Sequence, residues 1–233
     1  MPAHRSKRYV AAKKLVDSTK TYPFEEAMDL LKKLPAPKFD QSVTISMHMG
    51  VDPKKGEQMI RATCSLPHGT GKKVTVLVFA QGAAAQAATD AGADYVGFTD
   101  LVAKVQGGFL DFDVAIATPD AMTEVRKLAR FLGPRGLMPN PKTNTVTEDP
   151  ATTIKEVKAG RVNFKLDKNG NISLPVGKIS FNSNQLAENA VAAIEAVQRA
   201  KPATAKGRYI ESIHVTATMT PSVAIDSSKY VKA

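Results

Sequence analysis

Leu66-Pro67-His68-Gly69-Thr70-Gly71-Lys72-Lys73-Val74-Thr75-Val76-Leu77-Val78-Phe79 separates two kinds of periodicity. Before it, Val43, Ile45, Met47 and Met49 alternate with polar residues over Ser42–Gly50, the period of a half-buried strand, and Met59–Leu66 reads as a second strand. After it, Val74–Phe79 is a continuous β-forming run, the pattern of a strand covered on both faces. A helix over Ala83–Ala91 ending at Gly92, a strand at Tyr95-Val96, a helix over Asp100–Val105 and a buried strand at Val114–Ala117 follow. A helix from Asp120 to about Phe131 and a short one near Pro150–Lys158 complete the series. The βαβαβα order predicts a parallel sheet between two helical layers.

After Ala159-Gly160 the alternation returns. Val162–Leu166 and Asn171–Leu174 are expected to form a hairpin turned at Asn169-Gly170, extended by Ile179–Phe181. Leu186–Ala200 reads as an amphipathic helix capped by Asn182, Ser183 or Asn184, and Tyr209–Met219 as a last strand. Near the N-terminus, Tyr22–Leu34 has acids in its first turn, lysines in its last and Thr21 as an N-cap. Residues 1–20 hold six basic residues and one acid, Asp17, a solvated tail or a helix lying against phosphate. The organisation expected is one α+β domain from residues 1–67 and 160–233, with a doubly wound α/β domain, 68–159, inserted. Gly69, Thr70, Gly71, Ala159 and Gly160 form two short crossings suited to a hinge.

The charge divides the same way. Residues 68–159 contain ten basic and ten acidic residues, so the other 22 basic and 12 acidic residues carry the whole net charge of +10. A basic two-segment domain is the part suited to a polyanion. Cys64 is the single cysteine and the four histidines lack ligand spacing, so neither a disulfide framework nor a metal or other cofactor is expected. No apolar run reaches membrane-spanning length, and no signal-peptide pattern opens the chain.

Catalytic motifs are missing. His68-Gly69-Thr70-Gly71-Lys72 lacks the spacing of a phosphate loop and precedes a strand rather than a helix. Asp120 and His68 are read as a cap and a turn residue. No G-x-G-x-x-G follows Val74–Phe79. An enzyme with its site near Gly82, Gly97 and Pro119 is the rival reading, without a nameable nucleophile and base. Gly133-Pro134-Arg135-Gly136-Leu137-Met138-Pro139-Asn140-Pro141-Lys142 must be a structured loop, a rigid connection or a phosphate cradle. Lys38-Phe39 and Thr216-Ala217-Thr218-Met219-Thr220-Pro221-Ser222 combine an aromatic, a cation and small hydroxyls, groups that pack on RNA backbone or serve as a core anchor and β-formers.

At these residues the chain resembles the bacterial-type ribosomal protein L-one family, over essentially its whole length. The blocks that carry the resemblance include Lys38-Phe39-Asp40, Val51-Asp52-Pro53, Leu66–Lys72, Ala91-Gly92-Ala93-Asp94-Tyr95-Val96-Gly97, Asp111-Phe112-Asp113 and Ala117-Thr118-Pro119-Asp120. Gly133–Lys142 and Ala205-Lys206-Gly207 complete them. The resemblance implies a non-enzymatic protein, cytoplasmic and ribosome-associated, present as a monomer within the ribosome. Its discontinuous α+β domain would grip a stalk junction of large-subunit rRNA, and its inserted Rossmann-like, three-layer α/β domain would swing about the crossings. It would help release deacylated exit-site tRNA and repress translation of its own messenger RNA. The implied RNA contacts are Lys38, Phe39, Ser42, Lys165, Asp167, Lys168, Ser212, Thr216, Thr218, Met219 and Thr220.

Three departures from the family pattern bear on shape. Thr220 stands where the family usually has Gly; a β-branched residue at positive φ would cost on the order of 1 kcal/mol, so the loop differs or the affinity is lower. Residues near Thr123 and Ala129 replace helix glycines, predicting a stiffer helix. Asn144 also replaces a usual Gly.

Overall fold

The computed structural model describes residues 5–205 and 207–227; His4 and Lys206 lie outside them. The chain forms two compact units, one from both chain ends, up to Gly71 and from Val162 onward, and the other Lys72–Arg161.

The two-segment unit contains helices α1 (Lys7–Leu15) and α2 (Phe24–Lys33) and strands β1 (Ser42–Met49) and β2 (Arg61–Ser65) from its first segment. Its main sheet has the order β7-β1-β8-β9, where β7 is Asn171–Lys178, β8 Ile210–Ala217 and β9 Val223–Ile225. β1 pairs antiparallel with both neighbours. Alternation sends Val43, Ile45, Met47 and Met49 to one face with Ile172, Leu174, Ile213 and Val215, all buried. That face shares one core with Met28 and Leu31 of α2 and with Leu186, Ala190, Ile194 and Val197 of α8 (Ser183–Arg199). Asn182 caps α8 in a reciprocal box with Gln185. Pro175 is accommodated because β7 is an edge strand.

The expected hairpin does not form. β6 (Arg161–Lys165) pairs with β2 in a separate two-stranded sheet, whereas β7 pairs with β1. The turn between them is nevertheless tight: Asp167 N donates to Asn171 O at 2.9 Å and Gly170 sits at φ 77°. Leu166 N then bonds Ile60 O, so the arms diverge to different partners. Ile179–Phe181 does not extend the strand, because Phe181 N turns back to Lys178 O. Strand β9 was not expected. Its Ala224 O accepts from Tyr22 N and Tyr22 O accepts from Asp226 N, which draws Tyr22 out of α2 and leaves Pro23, not Thr21, as the N-cap.

The inserted unit is a parallel sheet, order β4-β3-β5, with β3 Val76–Phe79, β4 Tyr95–Gly97 and β5 Val114–Ala117. Val76, Val78 and Ile116 pack with α3 (Gly82–Asp90) and α7 (Pro150–Ala159). Leu77, Phe79, Ala115 and Ala117 face the other way, to Val105 of α4 (Thr99–Gln106) and to Val125 and Leu132. The segment expected to be one stiffened helix is instead α5 (Met122–Val125), a 3-10 turn and α6 (Ala129–Leu132). Lys127 Nζ of that turn reaches back one turn to bond both oxygens of Glu124 in α5, at 2.8 and 2.7 Å.

Candidate nucleic-acid interface

The face of the main sheet opposite its core is built from the polar positions of the same alternation. Register aligns Thr44 with Thr216 and Pro175, Ser46 with His214 and Ser173, and His48 with Ser212 and Asn171. None of these side chains belongs to the buried set. Ser46 and Ser173 hydroxyls meet at 3.0 Å, and His48 Nδ1 lies 2.8 Å from Asn171 Oδ1. The result is a surface of short hydroxyl and imidazole groups on rigid backbone, the chemistry that reads phosphates and 2′-hydroxyls.

One end of this face is closed by the turn after β8. Thr220 N donates to Ala217 O at 3.0 Å, and the Thr220 hydroxyl both accepts from Ala217 N and donates to Ala217 O. Met219 N donates to Oε1 of the fully buried Gln41 at 3.1 Å. Ser42 N donates to Thr218 Oγ1, and Lys178 Nζ donates to Ser42 Oγ at 3.0 Å. Met219 and Phe39, each 50 % exposed, are two of the few large apolar side chains left to solvent. Lys38 and Phe39 lie just upstream of Gln41, and Lys38 is exposed. Thus Ser42, Thr216, Thr218, Met219 and Thr220 come together, with Lys38 and Phe39 beside them in sequence.

Ser212 lies four residues along β8 from Thr216, roughly 13 Å at strand rise. Near its end of the sheet is the 167–170 turn. Asp167 Oδ1 accepts from Asn169 N and Asn171 N at 2.8 and 2.7 Å, and these backbone donors, Asn171 first, hold its carboxyl below the usual range. The bonds of Asp167 are internal to the turn that presents exposed Lys168. Lys165, also exposed, ends β6 in the other sheet. The expected contacts on the main sheet and its turns therefore form two groups at opposite ends of its polar face, with Thr44, Ser46, Ser173 and His214 between them, while Lys165 belongs to the second sheet. Those four were legible as polar positions of the strand alternation. Gln41 and Lys178 left no sequence signal.

Thr220 does not carry the expected strain. Among the described residues, Asn144 at φ 47° is the only non-glycine with positive φ, so Thr220 lies outside the left-handed region. Asn144 itself occupies the conformation its usual Gly would take, which Asn tolerates.

At the crossings, Gly69, Gly71 and Gly160 have φ of 66°, 68° and 110°. In the two-segment unit, buried Asn189 of α8 accepts from His68 N at 3.1 Å and donates to Gly69 O and Val176 O at 3.0 and 2.7 Å. A Cβ on Gly71 would approach the Phe181 ring to 2.9 Å. In the inserted unit, Asp113 receives Lys72 Nζ and Thr75 N, and the Lys72 bond is the main cause that lowers its pKa. Gly160 caps α7 just after Ala159.

The Gly133–Lys142 loop is a pinned connection. Leu137 N closes on Leu132 O at 3.0 Å, and Asn140 N and O both bond the Thr145 hydroxyl. Arg161 Nη2 donates to Thr143 O at 2.8 Å just beyond it. At the carboxyl ends of β3 and β5 a crevice of about 200 Å³ is lined by Gln81, Thr118, Asp120 and Glu148 among others, without a His or Cys to pair as nucleophile and base. Among the described residues no cluster of three or more potential metal ligands occurs, and no helix is long and apolar enough to cross a membrane.

The sequence model of the ribosomal protein L1p/L10e family matches residues 30–221. A large ribosomal subunit protein uL1 of Kosmotoga olearia is 53 % identical over 228 residues, covering 98 % of this chain and 99 % of that protein. The large ribosomal subunit protein uL1 of Bifidobacterium longum subsp. infantis is 54 % identical over 222 residues, 95 % of this chain and 96 % of its own length.

Proposed function

The chain belongs to the ribosomal protein L1p/L10e family, and from that premise we propose that it binds large-subunit rRNA through the polar face of its two-segment domain. It is a structural constituent of the large ribosomal subunit rather than an enzyme. The observation that carries the RNA reading is the hydroxyl-rich face of β7-β1-β8-β9, closed at one end by the Gln41-held Met219 turn.

On this reading Met219 and Phe39 pack on nucleotide surfaces, and Ser42, Thr216, Thr218, Thr220 and Ser212 meet backbone oxygens and 2′-hydroxyls. Lys38, Lys165 and Lys168 neutralise phosphates, and Asp167 shapes the turn that offers Lys168. The partner is the rRNA junction of the mobile stalk. The crossings at Gly69–Gly71 and Ala159-Gly160 would be the pivot about which the inserted unit, Lys72–Arg161, moves to assist release of deacylated tRNA. Repression of the protein's own messenger would use the same face on a mimic of the rRNA site. The family resemblance supports the tRNA and messenger roles.

Hydroxyl-radical footprinting of the full-length protein on large-subunit rRNA tests this. The expected result is one protected stalk junction. Diffuse protection without site preference would point instead to a non-specific RNA chaperone.

A further inference from the structure

We propose that a second wall of the RNA site lies on helix α1, where Arg8 and the Thr218–Thr220 turn together seat one phosphodiester of the bound RNA. The proposal rests on the rRNA-binding reading and extends it to residues that reading did not include.

Helix α1 is capped by Ser6, whose hydroxyl accepts from Tyr9 N at 3.3 Å. Its first turn and the two residues before it, through Arg5, Ser6, Arg8 and Tyr9, face Thr218, Met219 and Thr220 across a cavity of about 370 Å³. Arg5 stacks its guanidinium 4.9 Å from the centre of the Tyr9 ring, which fixes one cationic wall. The second guanidinium is more informative. Arg8 Nη1 is buried and has no hydrogen-bond partner among the described residues. A buried charged donor without an acceptor is costly, and a guanidinium fork matches phosphate oxygens closely. Among the described residues the lining contains two guanidinium groups and no carboxylate. The first-turn amides of α1 add positive potential on the same side.

A phosphodiester fits better than a free carboxylate or peptide because the opposite wall is the Met219 turn itself. A nucleotide packed on Met219 brings its linkage to the mouth of this cavity. The Thr220 hydroxyl is bonded within its turn, which keeps that wall rigid. Phosphate contact here would also give α1, short and only weakly amphipathic, a reason to lie beside the turn.

The test uses the full-length protein and an rRNA fragment carrying the stalk junction, with affinity measured over a salt series. Arg8→Gln is expected to weaken binding about tenfold or more, as loss of a charge-assisted bond does. The slope of log affinity against log salt should become shallower by about one. A methylphosphonate placed at the contacted linkage should erase the difference between wild type and Arg8→Gln. If Arg8→Gln lowers the unfolding midpoint, Arg8→Lys replaces it; keeping the charge but not the fork, it should lower affinity with little change in slope. A folded Arg8→Gln protein with wild-type affinity and slope overturns the proposal. So does lost affinity with an unchanged slope and no sensitive linkage, which would make Arg8 purely structural. If the wild-type protein itself shows no preference for the fragment, the rRNA reading fails and this proposal with it.

Discussion

The two units use sheets in opposite ways. In the inserted unit both faces of β4-β3-β5 are spent on packing: Val76, Val78 and Ile116 bury against one helical layer, and Leu77, Phe79 and Ala117 against the other. In the two-segment unit only one face is spent. The other keeps Thr44, Ser46, His48, Ser173, His214 and Thr216 at the surface on a backbone made rigid by the covered side. A sheet consumed on both sides can offer a ligand only its strand ends and loops, whereas a half-covered sheet offers a surface. The charge follows the same division, since the near-neutral stretch is the one with no free face.

The strongest test of that contrast separates the units. A chain joining residues 1–71 to 162–233 should bind the rRNA fragment nearly as well as the whole protein, while residues 72–161 alone should bind at least a hundredfold more weakly by filter binding or fluorescence anisotropy. Comparable binding by both would erase the distinction. Met219→Asp comes next: a carboxylate at the exposed tip should cost about 2 kcal/mol or more of specific affinity through repulsion from phosphate, and Phe39→Ala about 1–2 kcal/mol through lost stacking. Both should affect random duplex RNA less. Asn189→Ala should destabilise the two-segment unit by roughly 2 kcal/mol, because it orphans His68 N, Gly69 O and Val176 O, and calorimetry should show it.

A smaller effect is pH-dependent. Burial pushes the Tyr209 hydroxyl, which donates to Val197 O at 3.1 Å, up to about 12. An unfolded tyrosine ionises near 10, so the folded state holds its proton more tightly. Stability from this group is therefore complete below about pH 10 and falls as pH rises from there toward 12. Tyr209→Phe should flatten that alkaline loss in urea melts at successive pH values. Smallest of all, Thr220→Gly should change RNA affinity by less than about 1 kcal/mol and slightly loosen the turn, because no positive φ exists for glycine to relieve.

Much of this contrast could be read from the chain itself. Unbroken Val76–Phe79 against alternating Val43–Met49 already separates a two-sided from a one-sided strand, and Asn182 and Gly160 mark helix ends by composition. What escaped depended on partners distant in sequence. Arg161–Lys165 and Asn171–Lys178 are joined by a convincing turn, yet β1 and β2 compete for them, and local periodicity carries no information about which strand wins. β9 is three residues long, too short for its alternation to show; it pairs with β8 on one edge, and Tyr22, two hundred residues away, bridges to its other edge. At the site, Lys38, Phe39 and the Thr216–Thr220 run were visible as unusual chemistry. Gln41, which aims Met219, was not, since a glutamine before a strand looks like any solvated polar residue until its burial is seen. Thr220 shows the converse: the conformation inferred from a missing glycine was replaced by one that the hydroxyl itself stabilises.

The position of β1 has a consequence for how the chain matures. β1 lies between β7 and β8, strands that follow it by well over a hundred residues, so on vectorial synthesis it has no partner on either edge until the chain is nearly complete. The inserted unit closes on itself as soon as Arg161 emerges. Assembly is therefore expected to run from the middle outward, with both edges of the Val43, Ile45, Met47 and Met49 strand open until β7 and β8 arrive. Limited proteolysis of stalled nascent chains should find residues 72–161 protected while Ser42–Met49 is still cut. The protein's most aggregation-prone interval is the delay between making its first strand and making that strand's neighbours.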